Sequence, residues 1–202
     1  MSEKIHSGGG SERFIRFLAK LGTMINVKEV SAGCFVDDIA RDGSEMAYGL
    51  LWKNELTQVF FYVNTLMRFK IKGNKVVLIE DYKHIQEYIQ KTNVVIIWNE
   101  TGKEIKSEDL SNSVAIVINP LPVNYCVIKI VHKTNNSYQS YGSLTENTIV
   151  NDAYISKLVL KCAIVIDIKR RMDSNEDNKQ VYISELLSRC SMISTIKKEV
   201  LT

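Results

Sequence analysis

The sequence predicts an α/β fold with a mixed central β-sheet flanked by helices, arranged as a single domain. Residues 94–98 and 113–119 are short apolar runs bounded by turn-forming residues, which is typical of strands buried within a sheet. Apolar residues at helical spacing near both ends of the chain predict flanking helices. Because helices and strands do not alternate strictly, the pattern favours a mixed sheet over a fully parallel one.

Length and composition narrow the class of protein. A chain of 202 residues with 45% hydrophobic content is long enough to bury one substantial core. The net charge of +3 comes without a dense run of Lys or Arg, which argues against binding to nucleic acid. No signal peptide opens the chain, and its most apolar stretch, residues 158–168, is too short to span a bilayer. We therefore expect a cytoplasmic protein without membrane insertion.

The first part of the chain reads as a linker followed by a helix and strands. Residues 1–11 contain Ser-Gly-Gly-Gly-Ser and predict a flexible N-terminal segment or linker, so residues 12–202 are assigned to the domain. A helix is predicted from Ser11 or Glu12 to Gly22, its C-cap. The strands predicted after it are residues 25–30, a hairpin of 46–52 and 57–63, and 75–79 after the Gly73-Asn74 turn.

The second part centres on the run 94–98, predicted to be a central strand buried on both faces. A polar helix over 80–92 precedes it, and strands at 113–119 and 125–132 and a loop over 133–148 follow. Asn151 or Asp152 is expected to cap a buried helix reaching about Arg171, and residues 182–200 predict an amphipathic closing helix. One core between sheet and penultimate helix is expected to hold Val94, Ile96, Val117, Ile118 and Leu158.

Six stretches, in order, resemble the Rap/Ran-GAP domains of the tuberin type, and are also similar to the Ral-directed ones. They are Phe17-Leu-Ala-Lys-Leu-Gly22 with Val27, Asp42-Gly43 with Tyr48 and Trp52, residues 58–67, residues 94–102, Val117-Ile-Asn-Pro-Leu121, and Tyr182-Ile-Ser184. The fourth resembles the family's central strand and its Tyr/Phe-Asn-Asp-Ser-Gly turn. The resemblance implies a Rap/Ran-GAP-like fold.

The same resemblance implies a function. Family members stimulate GTP hydrolysis by Ras-like GTPases such as Rheb, Rap and Ral, without an arginine finger. A helix before the central strand offers an asparagine in trans, here called the thumb, which helps to position the attacking water. The resemblance therefore implies a GTPase activator with no cofactor of its own, because GTP and Mg²⁺ are bound by the partner GTPase. A carboxamide suits this task because it donates and accepts hydrogen bonds at once.

This chain departs from the family at the thumb. Lys83-His84-Ile85 matches the start of the motif, but Gln-Glu-Tyr follows where the family has Gly-Asn-Asp, and an ungapped count back from Trp98 gives Lys91 at the asparagine position. The carboxamides nearby are the candidate catalytic residues: Asn93, Gln90 and Gln86. The same resemblance points to partner-binding residues, which are Lys83, His84, Glu87 and Lys91.

Structural interpretations stand beside these functional ones. Asn93 also fits a helix C-cap or a strand-entry residue, and the two glutamines fit a solvated helix face. Asp37, Asp38 and Asp42 fit a solvated loop better than a metal site, and the four widely spaced cysteines fit reduced thiols. At the level of function, the alternatives are a non-catalytic member used for binding or assembly with other subunits of a GAP complex, and an unrelated small α/β enzyme.

Overall fold

A computed structural model describes residues 10–26, 48–55, 57–67, 69–72, 75–78, 92–110, 113–132 and 147–173. The helices in these ranges are α1 (Glu12–Leu21), α2 (Asn64–Met67) and α3 (Ile155–Asp173), with a 3₁₀ turn at Ser107–Asp109. The strands are β1 (Thr23–Asn26), β2 (Tyr48–Lys53), β3 (Gln58–Phe61), β4 (Phe69–Lys72), β5 (Lys75–Leu78), β6 (Val94–Trp98), β7 (Val114–Pro120), β8 (Tyr125–Val131) and β9 (Thr148–Asn151).

The described strands form three sheets. The largest has the order β6-β7-β8-β9, in which β6 and β7 are parallel and the other neighbours antiparallel. Strands β1, β2 and β3 form an antiparallel sheet that contains the predicted hairpin, and β4 pairs with β5. The prediction of an α/β fold with a mixed sheet is confirmed.

Helix α1 follows its sequence signals closely. The Ser11 hydroxyl accepts a hydrogen bond from the Phe14 amide at 3.1 Å, which satisfies one of the unpaired N–H groups of the first turn. Gly22 ends the helix as predicted, and its amide donates to the Leu18 carbonyl at 3.3 Å. Phe17 and Leu21, four residues apart, are buried on one side, so the helix turns its apolar stripe inward.

The main core lies between the four-stranded sheet and the helices α1 and α3. Its fully buried centre consists of Ile116 and Ile118 from β7, Ile128 from β8, and Val159 and Ile166 from α3. As predicted, α3 is well buried. It begins at Ile155 rather than directly after Asn151 or Asp152, because the Asn151 side chain accepts from the Ala153 amide and holds a turn first.

Two predictions about burial are wrong. All five residues of β6 are half-buried, and within the described residues β6 has one sheet neighbour, β7. The strand buried on both faces is instead β7, whose residues 114–118 are all buried. Val117 does not share the core of Ile118 either, because adjacent strand residues point to opposite faces. It packs in a second cluster with Leu110, Ala115 and Val131.

The prediction missed two short strands, β4 and β9. Strand β9 lies at the end of the stretch predicted to be a loop, and residues 133–146 of that stretch lie outside the described residues. Also outside them are residues 27–30 of the strand predicted at 25–30, Asp37, Asp38 and Asp42, most of the helix predicted over 80–92, and the closing helix predicted over 182–200. No helix in the described ranges is long and apolar enough to cross a membrane.

Candidate functional site

The candidate site lies where the chain enters β6. Asn93 is the residue directly before this strand, and the structure describes it. The other predicted catalytic and partner-binding residues lie outside the described part of the chain, and their roles stay predictions: Lys83, His84, Gln86, Glu87, Gln90 and Lys91. The geometry of the site is therefore built from the entry of β6, its exit, and the helices that pack against it.

The Asn93 side chain reaches α3. Its Nδ2 donates to Oδ1 of Asp167 at 2.9 Å, and Oδ2 of the same carboxylate accepts from Nε of Arg171 at 2.8 Å. Asp167 and Arg171 are one helical turn apart, which is the spacing that favours such an ion pair. In this arrangement the Asn93 amide group is engaged by a carboxylate on the protein's own helix.

The backbone at the entry of β6 is held by β7. The Val114 amide donates to the Asn93 carbonyl at 2.9 Å. The hydroxyl of Ser113, a buried residue, donates to the Thr92 carbonyl at 2.7 Å. Strand β7 therefore fixes the two residues that lead into β6, while α3 holds the Asn93 side chain.

The residues that follow β6 form a polar turn, which side-chain hydrogen bonds stabilise. Asn99 is buried, and its Nδ2 donates to the Lys103 carbonyl at 2.9 Å and to Oδ1 of Asn119 at 2.8 Å, while its Oδ1 accepts from Thr101. Gly102 has a φ of +67°, a conformation that residues with a Cβ rarely adopt. Both polar atoms of the Asn99 side chain are thus bonded, to Lys103 and Thr101 within the turn and to Asn119 on β7, which indicates a structural role.

Helix α1 packs against the last residue of β6 and is hydrogen-bonded to the turn that follows it. The Trp98 ring lies 5.9 Å from the ring of Phe14 and 5.2 Å from that of Phe17, both within the range of favourable aromatic contact. The indole N–H of Trp98 donates to the Glu100 carboxylate at 2.8 Å, and the Ser11 hydroxyl donates to the same oxygen. Where the resembling family turn has Asp, this chain has Glu100, and the carboxylate links the turn to the cap of α1.

A second polar network escaped prediction. The Arg13 guanidinium on α1 donates to both carboxylate oxygens of Asp152 at 2.9 and 2.8 Å, and to the carbonyls of Leu121 and Tyr125 at 2.5 and 3.0 Å. The Cys126 thiol donates to Oδ1 of Asp152 at 3.3 Å. The partners lie more than a hundred residues apart in sequence, and no local pattern signals such a contact. The network joins α1 to β8 and to the turn before α3.

The network shifts the pKa values of its members so that Asp152 is favoured as a carboxylate, while Arg13 and Cys126 are favoured in their protonated forms. Hydrogen bonding to Arg13 lowers the pKa of Asp152, although partial burial opposes the shift. Hydrogen bonding to Asp152 raises the pKa of Arg13. Burial, together with the Asp152 carboxylate, raises the pKa of the Cys126 thiol to about 12. Cys126 is therefore a protonated thiol at neutral pH, which is a poor nucleophile and a poor metal ligand.

The described cysteines are not joined in disulfide bonds. Cys126 and Cys162 are both buried and unbridged, which confirms the prediction of reduced thiols for these two, and Cys34 and Cys190 lie outside the described residues. In the ranges that the structure describes, no three His, Cys, Asp or Glu residues come together as a group that could hold a metal ion.

The described residues thus form an α/β domain with a mixed sheet, in which β6 runs parallel to β7 and polar residues precede β6. The Rap/ran-GAP family profile matches residues 4–184. The chain belongs to this family, and the resemblance identified from six short stretches is confirmed.

Two relatives agree with this assignment. The chain is 32% identical, over 116 residues, to the "Tuberous sclerosis 2 protein homolog" of Schizosaccharomyces pombe. That alignment covers 54% of this chain and 8% of the fission-yeast protein, so the chain corresponds to a small part of that relative. The solved structure of the TSC2 GAP domain superimposes with a TM-score of 0.55 at 20% identity, covering 79% of this chain and 83% of that domain. At this identity the structural match establishes the fold.

Proposed function

We propose that this chain is a GTPase-activating domain that acts in trans on a Ras-like small GTPase. The observation that carries the proposal is the family match over residues 4–184, supported by the fold shared with the TSC2 GAP domain. A Rheb-like GTPase is the first candidate partner, because the chain resembles domains of the tuberin type. Rap-like and Ral-like GTPases are the further candidates.

The proposed mechanism uses a side-chain carboxamide. A carboxamide of this domain enters the GTPase site and holds the attacking water in line, while the GTPase supplies GTP and Mg²⁺. The candidates are Gln86, Gln90 and Asn93, in the segment that leads into β6. Lys83, His84, Glu87 and Lys91, in the same segment, are the proposed contacts to the partner. The domain itself performs no covalent chemistry in this scheme.

A second candidate function is a non-catalytic subunit that keeps the GAP fold for binding or assembly within a GAP complex. Two observations favour it. Neither alignment of the thumb motif gives an asparagine, and the one described carboxamide candidate, Asn93, donates its amide group to Asp167. A domain without a thumb retains its binding surface while losing the group that orients water.

Single-turnover GTP hydrolysis tests the proposal. Rheb-, Rap- and Ral-like GTPases loaded with GTP are mixed with the wild-type domain and with Asn93→Ala, Gln90→Ala and Gln86→Ala. We expect the wild type to stimulate at least one GTPase, and loss of the thumb to abolish that stimulation, because misplacing a catalytic group by ~1 Å already lowers a rate by ~100-fold.

The outcomes separate the two functions. Equal stimulation by all four proteins would eliminate these three thumb candidates. No stimulation by wild type, together with tight binding to a GTPase held in its transition-state form, would establish the non-catalytic function. No stimulation and no binding across the panel would overturn both.

A further inference from the structure

The contact between Asn93 and α3 has a geometry suited to holding the chain in place. Asp167 uses both of its oxygens, one for Nδ2 of Asn93 and the other for Nε of Arg171. Arg171 binds the oxygen of the carboxylate that Asn93 does not bind, so both oxygens of Asp167 have a protein donor in this arrangement. A neutral amide donating to an ionised carboxylate makes a charge-assisted hydrogen bond, which is stronger than a bond between neutral groups.

Two different elements therefore hold the entry of β6. Strand β7 binds the carbonyls of Thr92 and Asn93 through the Ser113 hydroxyl and the Val114 amide. Asp167 of helix α3, which is 74 residues further along the chain, accepts a hydrogen bond from the Asn93 side chain. Backbone bonds to β7 alone fix the register of this entry, whereas the added bond to α3 also fixes its position relative to the helix.

We propose that Asn93 and Asp167 form a positioning pair that holds the base of the segment 80–91, which carries Gln86 and Gln90. This inference rests on the proposed function. In it, Asn93 positions the catalytic segment and is not itself the thumb. To orient a water, Asn93 would have to leave Asp167 and deprive the carboxylate of a hydrogen bond. Its present contact instead fixes Asn93, which follows the end of that segment by two residues, against α3.

The positioning role depends on geometry, so it is sensitive to small changes. A group that orients water must be held within a fraction of an ångström, and ~1 Å of misplacement lowers the rate by ~100-fold. Only Thr92 separates Asn93 from the segment that carries the other thumb candidates. A shift at Asn93 is therefore transmitted to that segment over a very short length of chain.

An exchange of the two side chains tests the pair. Asn93→Asp places a second carboxylate against Asp167, and we expect the stimulated rate of GTP hydrolysis to fall on the order of 10-fold to 100-fold. In the double variant Asn93→Asp/Asp167→Asn, the amide at 167 donates to the carboxylate at 93 and its oxygen accepts from Arg171. The double variant is therefore expected to regain most of the wild-type rate. Asn124→Asp, on an exposed turn, adds the same charge elsewhere as a control and should match wild type.

The rate is measured at a saturating concentration of the domain, with folding of each variant checked by circular dichroism. A purely structural role would reduce the folded fraction and raise the concentration needed for saturation, without lowering the saturated rate. If Asn93 is the thumb, the double variant stays as inactive as Asn93→Asp, since a carboxylate cannot donate to water. An inactive double variant beside an active wild type overturns the positioning role alone. A wild type that stimulates no GTPase overturns the positioning role and the proposed function together.

Discussion

Two polar networks tie α3 and the turn before it to the rest of the domain, and they use the same chemistry in different places. In the turn before α3, Asp152 binds Arg13 of α1. Near its end, Asp167 binds Asn93 at the entry of β6 and Arg171 on its own helix. The first network joins elements that together enclose the core. The second joins the helix to the chain directly after the segment that carries the remaining thumb candidates.

Because the two networks lie in different places, we expect one to affect mainly the stability of the domain and the other mainly its activity. Arg13 donates to both oxygens of Asp152, to the Cys126 sulfur and to the carbonyls of Leu121 and Tyr125. Its loss removes the donor to Oδ2 of Asp152 and to the Leu121 carbonyl, whereas Oδ1 of Asp152 still accepts from Cys126. Among the described residues, the Asn93 side chain makes one hydrogen bond, to Asp167, and it belongs to neither hydrophobic cluster, so its loss leaves the described core intact. We therefore expect the Arg13 network to contribute chiefly to the free energy of unfolding, and the Asn93 pair to contribute chiefly to the stimulated hydrolysis rate.

The largest loss of stability is expected for a substitution in the main core, between the four-stranded sheet and α3. Ile118 of β7 is completely buried against α3, and Ile118→Ala should lower the free energy of unfolding by about 2–5 kcal/mol because it leaves a cavity. Ile149 of β9 is 65% exposed, and Ile149→Ala should change this free energy by less than about 0.5 kcal/mol. Urea denaturation checks both, and similar losses in the two variants would contradict the assignment of the core.

The next effect belongs to the Arg13 network. Arg13→Ala should lower the free energy of unfolding by about 1–3 kcal/mol, since it leaves a charged, partly buried acceptor without its donor. Arg16→Ala is the matched control on the same helix. Its 3.5 Å pair with Glu12 is exposed, and such pairs contribute about 0–1 kcal/mol. Equal midpoints of urea unfolding for the two variants would show that the network does not stabilise the domain.

A smaller, pH-dependent effect follows from the lowered pKa of Asp152. In the unfolded chain this carboxyl takes up a proton at a higher pH than in the folded protein. Its contribution to stability is therefore complete at neutral pH and is lost as the pH falls below about 4. The difference in free energy of unfolding between wild type and Asp152→Asn should be constant from pH 7 to 5 and shrink below pH 4. A difference that grows on acidification would contradict the sign of this shift.

The sequence predicts those parts of the fold that local pattern governs. Ser11 and Gly22 delimit α1 because caps are encoded within one helical turn, and β7 is evident because its residues 114–118 are apolar without interruption. Strand β6 has an equally apolar sequence but is only half-buried, since burial depends on which neighbours the sheet provides. Val117 was assigned to the wrong core although the sequence carries the signal, since neighbouring residues of one strand point to opposite faces and Val117 directly precedes Ile118.

In the candidate site too, features that depend on local sequence were predictable and contacts between distant residues were not. The resemblance to the family locates the segment before β6, because short stretches of sequence carry it. The partner of Asn93 was not predictable, since Asp167 is 74 residues away and fits a solvated position on a helix equally well. The Arg13 network was missed for the same reason, as its ion pair spans 139 residues. Contacts between distant polar side chains leave no periodic signal in a single sequence.

The most direct test of the account compares the two networks in one assay. Arg13→Ala and Asp167→Ala are assayed beside wild type for single-turnover GTP hydrolysis, at saturating domain and at a temperature where all three are folded. We expect Arg13→Ala to stimulate hydrolysis as wild type does, despite its lower stability. We expect Asp167→Ala to lose stimulation on the order of 10-fold to 100-fold, despite a small change in stability. Equal stimulation by Asp167→Ala and wild type would contradict the claim that this pair positions the catalytic segment.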